Sequence, residues 1–199
     1  MTSIDIEVNQ AQLKALEQKL GNLKSKAPKV LARAINRAAQ KAKTETKREV
    51  AAKYFISQGD VLKTVTLTKA SPGKLSAELK SKGGPIALSK FKVSPNRGVR
   101  RTKRGGYSPA VYKAGVEKAG GVKPLSGNPK AFIAGFSSGH SGVMEGKGSR
   151  RLPLKQLYGP AVPSMIKNEE VISTIQDAAA ETLEKRIDAE VNNILQGGR

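Results

Sequence analysis

Between Pro28 and Gly59 the chain runs through thirty consecutive residues with no glycine or proline. Few folds accommodate such a stretch except as one long helix, because nothing in it breaks the i to i−4 ladder. Leu31, Ile35, Ala38, Ala42 and Ala51 trace an apolar stripe at helical spacing, while Arg33, Arg37, Lys41, Lys47 and Arg48 point away from it. Pro28 suits a first helical turn, with Ser25 as a cap just upstream. The spacing predicts a helix over 28–57, roughly 45 Å long, ending in the bulky run Tyr54-Phe55-Ile56. The stripe is rich in alanine, so whatever packs on it approaches closely. A shorter helical pattern precedes it, from Asn9 to Leu20, and stops at Gly21-Asn22.

After Gly59-Asp60 the periodicity changes to two. Val61, Val65 and Leu67 predict a strand at about 63–70, residues 74–80 alternate again, and Ile86, Leu88, Phe91 and Val93 predict a third strand. Ser71-Pro72-Gly73 and Gly83-Gly84-Pro85 separate them as turns, so the three read as an antiparallel meander. Residues 110–116, 131–136 and about 143–145 are further strand candidates. Pro153, Pro160 and Pro163 keep the segment from Leu152 to Pro163 extended. From Met165 to about Gln196 a helical stripe returns through Ile166, Val171, Ile175, Ala179, Leu183, Ile187, Val191 and Leu195.

The expectation is therefore an α+β fold: a long N-terminal helix, a central antiparallel β-sheet of four to six strands with a basic hairpin loop, and a long C-terminal helix. It reads as one domain over 1–199, with N-terminal helices to 58 and a β-rich basic core over 59–150. A Pro-rich extended linker follows over 151–164, then the C-terminal helix over 165–199. In the linker Leu152, Leu154, Leu157 and Tyr158 are expected to pack against the core or a neighbouring subunit, as are Leu31, Ile35, Ala38 and Ala42 of the first helix.

Charge divides the chain differently. Residues 1–79 hold fifteen Lys/Arg against seven acids, 80–155 hold seventeen against two, and 156–199 hold four against seven. A field so concentrated in the middle attracts polyanions and costs self-repulsion in the folded state. The focus is the run Pro95–Gly106, which carries Arg97, Arg100, Arg101, Lys103 and Arg104 and too little apolar surface to be buried. With Lys90 and Lys92 just before it, this run is the candidate contact for DNA or another polyanion. No aromatic residue interleaves with it, so it offers attraction to phosphate without base readout.

Catalytic chemistry finds little support. There is no cysteine, and His140 is the only histidine, which excludes thiolate and multi-histidine metal sites. His140 sits between Ser138 and Ser141 with no third partner or oxyanion hole in evidence. Gly142 to Lys147 is one residue too short for a phosphate-binding P-loop. Only Glu117 and Glu145 lie in the basic core, too few for a carboxylate pair or a magnesium site. No cofactor, catalytic residue or metal ligand is assigned. No apolar run of about 18 residues exists, and the start Met1 to Glu7 lacks the basic and apolar regions of a secretory signal.

The segment Arg151-Leu152-Pro153-Leu154-Lys155-Gln156-Leu157-Tyr158-Gly159-Pro160-Ala161-Val162-Pro163-Ser164-Met165 resembles the prophage minor tail protein Z family of tailed bacteriophages, also called tail completion proteins. Three other stretches agree: Ala32 to Ala39, Ala131 to Ala134, and Gly139 to Glu145 with its Gly-His-x-Gly turn. The resemblance implies a virion structural protein and not an enzyme, acting at the head-proximal end of the tail and assembled in the host bacterial cytoplasm. It implies a homo-oligomeric, sixfold ring around the DNA channel. Its partners would be tail terminator, tail tube and head–tail connector proteins and, without sequence preference, packaged DNA. The competing reading of the charge is a monomeric basic nucleic-acid-binding protein of the ribosome- or nucleoid-associated type. A third, an enzyme acting on nucleic acid, would need an acid cluster or an activated nucleophile.

Overall fold

A computed structural model describes residues 1–8, 10–96, 112–125, 131–135, 141–147 and 152–196. The chain opens with strand β1 (Thr2–Glu7) and helix α1 (Gln10–Leu20). Gly21, at φ 52°, takes the left-handed conformation that ends α1. A 3-10 turn over Gly21–Lys26 leads into α2 (Ala27–Lys53), with Pro28 in its first turn. The short α3 (Gln58–Leu62) follows, then β2 (Val65–Thr68), β3 (Ser76–Ser81), β4 (Ile86–Ala87) and β5 (Lys92–Ser94). Next come β6 (Lys113–Gly115), β7 (Lys123–Pro124), β8 (Phe132–Gly135) and β9 (Ser141–Gly146). The chain closes with β10 (Leu154–Gln156), β11 (Tyr158–Gly159), α4 (Val162–Ile166) and α5 (Glu169–Leu195).

The α+β class stands, and among the described residues every strand pair is antiparallel, but the strands are shared among four small sheets. Their orders are β1-β3-β2, β10-β9-β8, β5-β6-β7 and β11-β4. The expected meander is corrected here. β3 does pair with β2, but its other edge goes to β1, with Ile4 opposite Leu79 and Ile6 opposite Ala77. The third segment breaks at a 3-10 turn, Leu88–Lys90, and its halves join different sheets. Val61 is buried in α3 and not in a strand. Ser57 caps that helix by accepting from the Asp60 N–H at 3.0 Å, so the chain turns helical once more before the sheet begins.

Helix α2 is the centre of the packing. It lies along α5 and also against β1, β2 and β3. Its buried face is accordingly wider than one stripe and takes in Val30, Ala34, Ala39 and Val50 as well as Leu31, Ile35, Ala38 and Ala42. Ala51, expected on the same stripe, is corrected: nine residues from Ala42 is two and a half turns, so it lies on the opposite side of the helix with Arg33 and is only half-buried. Leu31, Ile35, Ala38 and Ala42 are wholly enclosed within the chain, each at 0 % exposure. These four side chains serve the core of the chain itself and leave no surface for a neighbour. Burying each of the larger two stabilises the fold by about 1.5–3 kcal/mol. On α5 the buried stripe is Val171, Ile175, Ala179, Leu183, Val191 and Ile194. Ile194 takes the place expected for Leu195, which is 56 % exposed. Most of the buried apolar residues form one cluster reaching from Ile4 to Ile194.

The two long helices run antiparallel. Lys53, at the end of α2, donates to Asn168 Oδ1 at 2.8 Å and to the Glu170 carboxylate at the start of α5. At the other end Arg33 meets Glu190 at 3.3 Å. No helix among the described residues is long and apolar enough to cross a membrane.

Candidate nucleic-acid interface

Helix α2 stops at Lys53 because the next residues are drawn into extended backbone. Tyr54 sits at φ −113°, ψ 152°. The Phe55 N–H donates to the Val116 carbonyl at 2.8 Å, and the Lys118 N–H donates to the Lys53 carbonyl at 2.9 Å. These two bonds splice the segment after β6 onto the end of the helix, so the predicted helix over 28–57 is four residues too long.

The splice carries the sheet β5-β6-β7 with it. Lys92 lies opposite Gly115, Ser94 opposite Lys113, and Ala114 opposite Lys123. Alternation of side chains places Lys92 and Lys113 on one face and Lys123 on the other. All three are exposed. The Lys92 ammonium stands 5.2 Å from the centroid of the Phe55 ring, within cation–π range. Gly115 has no room for a side chain, since a Cβ there would lie 2.5 Å from the Gly121 carbonyl oxygen and 3.1 Å from the Phe55 ring.

Lys90, Lys92 and Lys118 surround a shallow depression floored by Tyr54, Phe55, Ile56 and Phe91. Lys90 also acts on Asp60. The Asp60 carboxyl is held below the ordinary carboxylate range by hydrogen bonds from Lys63 and Ser57, with the Lys63 and Lys90 charges adding to the effect against partial burial. The structure thus brings the predicted Lys90 and Lys92 together with Lys118 and Lys113, which sequence reasoning did not single out. The signal was faint, since Lys118 reaches this place only through the splice to α2.

Arg97, Arg100, Arg101, Lys103 and Arg104 lie outside the described residues, as does His140. The strands on either side of that basic run, β5 and β6, pair with each other.

The proline-containing segment is extended as expected and stitched on both sides. Leu154 lies opposite Gly146 in the β10–β9 pair, Tyr158 lies opposite Ala87, and the Leu157 N–H donates to the Val143 carbonyl at 2.8 Å. Gly159 lies against the ring of buried Phe91, 2.6 Å from where a Cβ would sit. Leu154 and Leu157 are half-buried, and Leu157 packs on the core. Leu152 and Tyr158 are different, at 66 % and 56 % exposure. Pro163 falls in the first turn of α4, where a proline fits.

Among the described residues no group of three or more histidines, aspartates or glutamates is placed to hold a metal ion. What these elements present is a cationic sheet and an extended segment with exposed apolar side chains.

The family model described as prophage minor tail protein Z (GPZ) matches residues 12–197. The match takes in every element described above except β1 and the start of α1. No curated protein and no solved structure matches the chain.

Proposed function

The chain belongs to the prophage minor tail protein Z family and is thus a phage tail structural component; from that membership we propose that it acts as a tail completion protein at the head-proximal end of the tail. In this reading copies of the chain form a ring, sixfold as in related neck proteins, around the channel through which DNA passes. The ring makes the tail competent to join a filled capsid, between the tail tube and terminator on one side and the head–tail connector on the other.

The observation that carries the reading is the family match over nearly the whole chain. Two features of the surface support it. Leu152 and Tyr158 are large, exposed and held on a segment whose backbone is already bonded on both sides, as a contact for a neighbouring subunit requires. The cationic side chains of Lys90, Lys92 and Lys113, and in sequence the basic residues Arg97, Arg100, Arg101, Lys103 and Arg104, suit a channel lining that attracts phosphate without reading sequence.

Replacing Arg97, Arg100, Arg101, Lys103 and Arg104 together by Ser tests the channel role. The variant should fold, because the run has little apolar surface to bury. DNA affinity should lose up to about 4.5 units of log–log salt slope if all five contact duplex phosphates. Virions built with it should join heads poorly or lose DNA. Normal joining and DNA retention across a range of ionic strengths would remove the DNA-channel role from this loop.

A further inference from the structure

The antiparallel pair α2 and α5 leaves an open groove along its seam. Its walls follow helical steps of three and four, from Arg33 to Thr44 on α2 and from Thr182 to Asn193 on α5. Six cations line it: Arg33, Arg37, Lys41 and Lys69 on one side, Lys185 and Arg186 on the other. Among the described residues the only carboxylate in the lining is Glu190, which is engaged by Arg33 at 3.3 Å. Lys41 is held by Glu45 at 2.8 Å, and Lys185 by Glu181 at 2.5 Å. Arg37, Arg186 and Lys69 have no hydrogen-bonding or ion-pair partner among the described residues. Both arginines are exposed. The seam therefore keeps two unpaired guanidinium groups on opposite walls, with the side chains of Gln40, Thr44 and Thr182 beside them.

We propose that this seam binds the phosphodiester backbone of duplex DNA, with Arg37 and Arg186 as its principal phosphate ligands. It deepens the reading of the protein as a tail component working beside DNA and rests on that reading for its setting. Guanidinium groups, amides and hydroxyls are the side chains that contact phosphate oxygens. A docked peptide would need an apolar anchor pocket, and among the described residues the seam offers only Ala189. Among the described residues no aromatic side chain lines the seam, so they offer no platform on which bases of a single strand would stack. The α2 wall from Arg33 to Thr44 is about 16 Å long, the axial length of about five base pairs.

The seam also points toward the sheet described above. Arg33 and Ala51 are eighteen residues apart on α2, five full turns, so they lie on the same side of the helix. Ala51 borders the depression of Lys90, Lys92 and Lys118. The seam and the basic sheet thus share one side of α2 over about 27 Å.

Fluorescence anisotropy of the full chain with a mixed-sequence 24-base-pair duplex, across about 50–300 mM salt, tests the proposal. Arg37→Ser with Arg186→Ser should reduce the log–log salt slope by about 1.8 and weaken binding by roughly sixtyfold at 0.1 M salt. Arg37→Lys with Arg186→Lys should keep the slope. If the Ser pair lowers the melting temperature, the Gln pair, which retains much of the aliphatic stem, is measured in its place. An unchanged slope and affinity in the charge-removing pair overturns the proposal, as does a wild-type chain with no affinity for the duplex. Equal loss of binding to polyglutamate in the same variants overturns it in favour of an acidic protein partner. Incorporation of wild-type chain into virions is scored separately, so failure of the seam proposal leaves the tail reading standing and the reverse is equally visible.

Discussion

The side chain of Asn36 closes on the backbone of Ala70 at two points, donating from Nδ2 to the carbonyl at 2.9 Å and accepting at Oδ1 from the N–H at 2.8 Å. This fastens the chain just after β2 to the middle of α2 and holds Lys69 at the mouth of the seam. Asn36→Ala leaves a part-buried donor and acceptor on Ala70 without partners, which costs about 1–3 kcal/mol. Urea unfolding should show a lower midpoint with an unchanged slope. A midpoint equal to wild type would mean that water replaces the amide without loss.

Gly115→Ala addresses the basic sheet. The new methyl would meet the Gly121 carbonyl oxygen at 2.5 Å, and that backbone must move. Overpacking of this kind costs about 1–3 kcal/mol. Lys92 is opposite Gly115 and above Phe55, so the change should also weaken DNA binding. Full stability together with full affinity would show that the β6–β7 turn yields freely.

Glu45 is buried in α2 and accepts from Lys41 at 2.8 Å and Arg48 at 3.0 Å. The hydrogen bond from Lys41, with the Lys41 and Arg48 charges, holds its carboxyl below the ordinary value of 4.5 in spite of burial. A depressed folded pKa contributes stability above the unfolded pKa, and that contribution is lost as pH falls through the folded value. Both cations are largely exposed, so the contribution is about 1 kcal/mol. Glu45→Gln should therefore be less stable than wild type at pH 7 and at pH 5, with the gap closing below about pH 4. A gap that persists undiminished to pH 3 would contradict the electrostatic origin.

The two long helices were legible because glycine and proline punctuate them and their apolar positions recur at three and four. The splice at Tyr54–Phe55 was not, since it depends on Val116 and Lys118, more than sixty residues away. β1 shows the same limit. Ile4 and Ile6 alternate with acids as a half-buried strand should, but six residues gain meaning only once β3 is there to pair with them. The meander was misread because hydrophobic period fixes which residues form strands and leaves their partners open. Lys90 and Lys92 were visible in the charge run. The seam was hidden because Arg37 and Arg186 belong to blocks of opposite net charge and meet only when α2 lies on α5.

Leu152 and Tyr158 separate assembly from folding. Replacing both by Ser should leave the melting temperature of the isolated chain nearly unchanged, because neither side chain is buried in it. In a ring they would be covered, so native mass spectrometry should show the loss of species at multiples of 21.2 kDa. A wild-type chain that remains at 21.2 kDa at assembly concentrations, alone and in the tail, would contradict the ring.

The proposed place of this tail protein is the head-proximal end. The most direct measurement is gold labelling of an epitope-tagged chain on purified virions and free tails, viewed by electron microscopy, with copy number from quantitative mass spectrometry of the same particles. Label should be confined to the junction of head and tail, at a few copies per particle consistent with one ring. Particles that join normally and carry none of the chain, or label spread along the tube or at the distal tip, would contradict it.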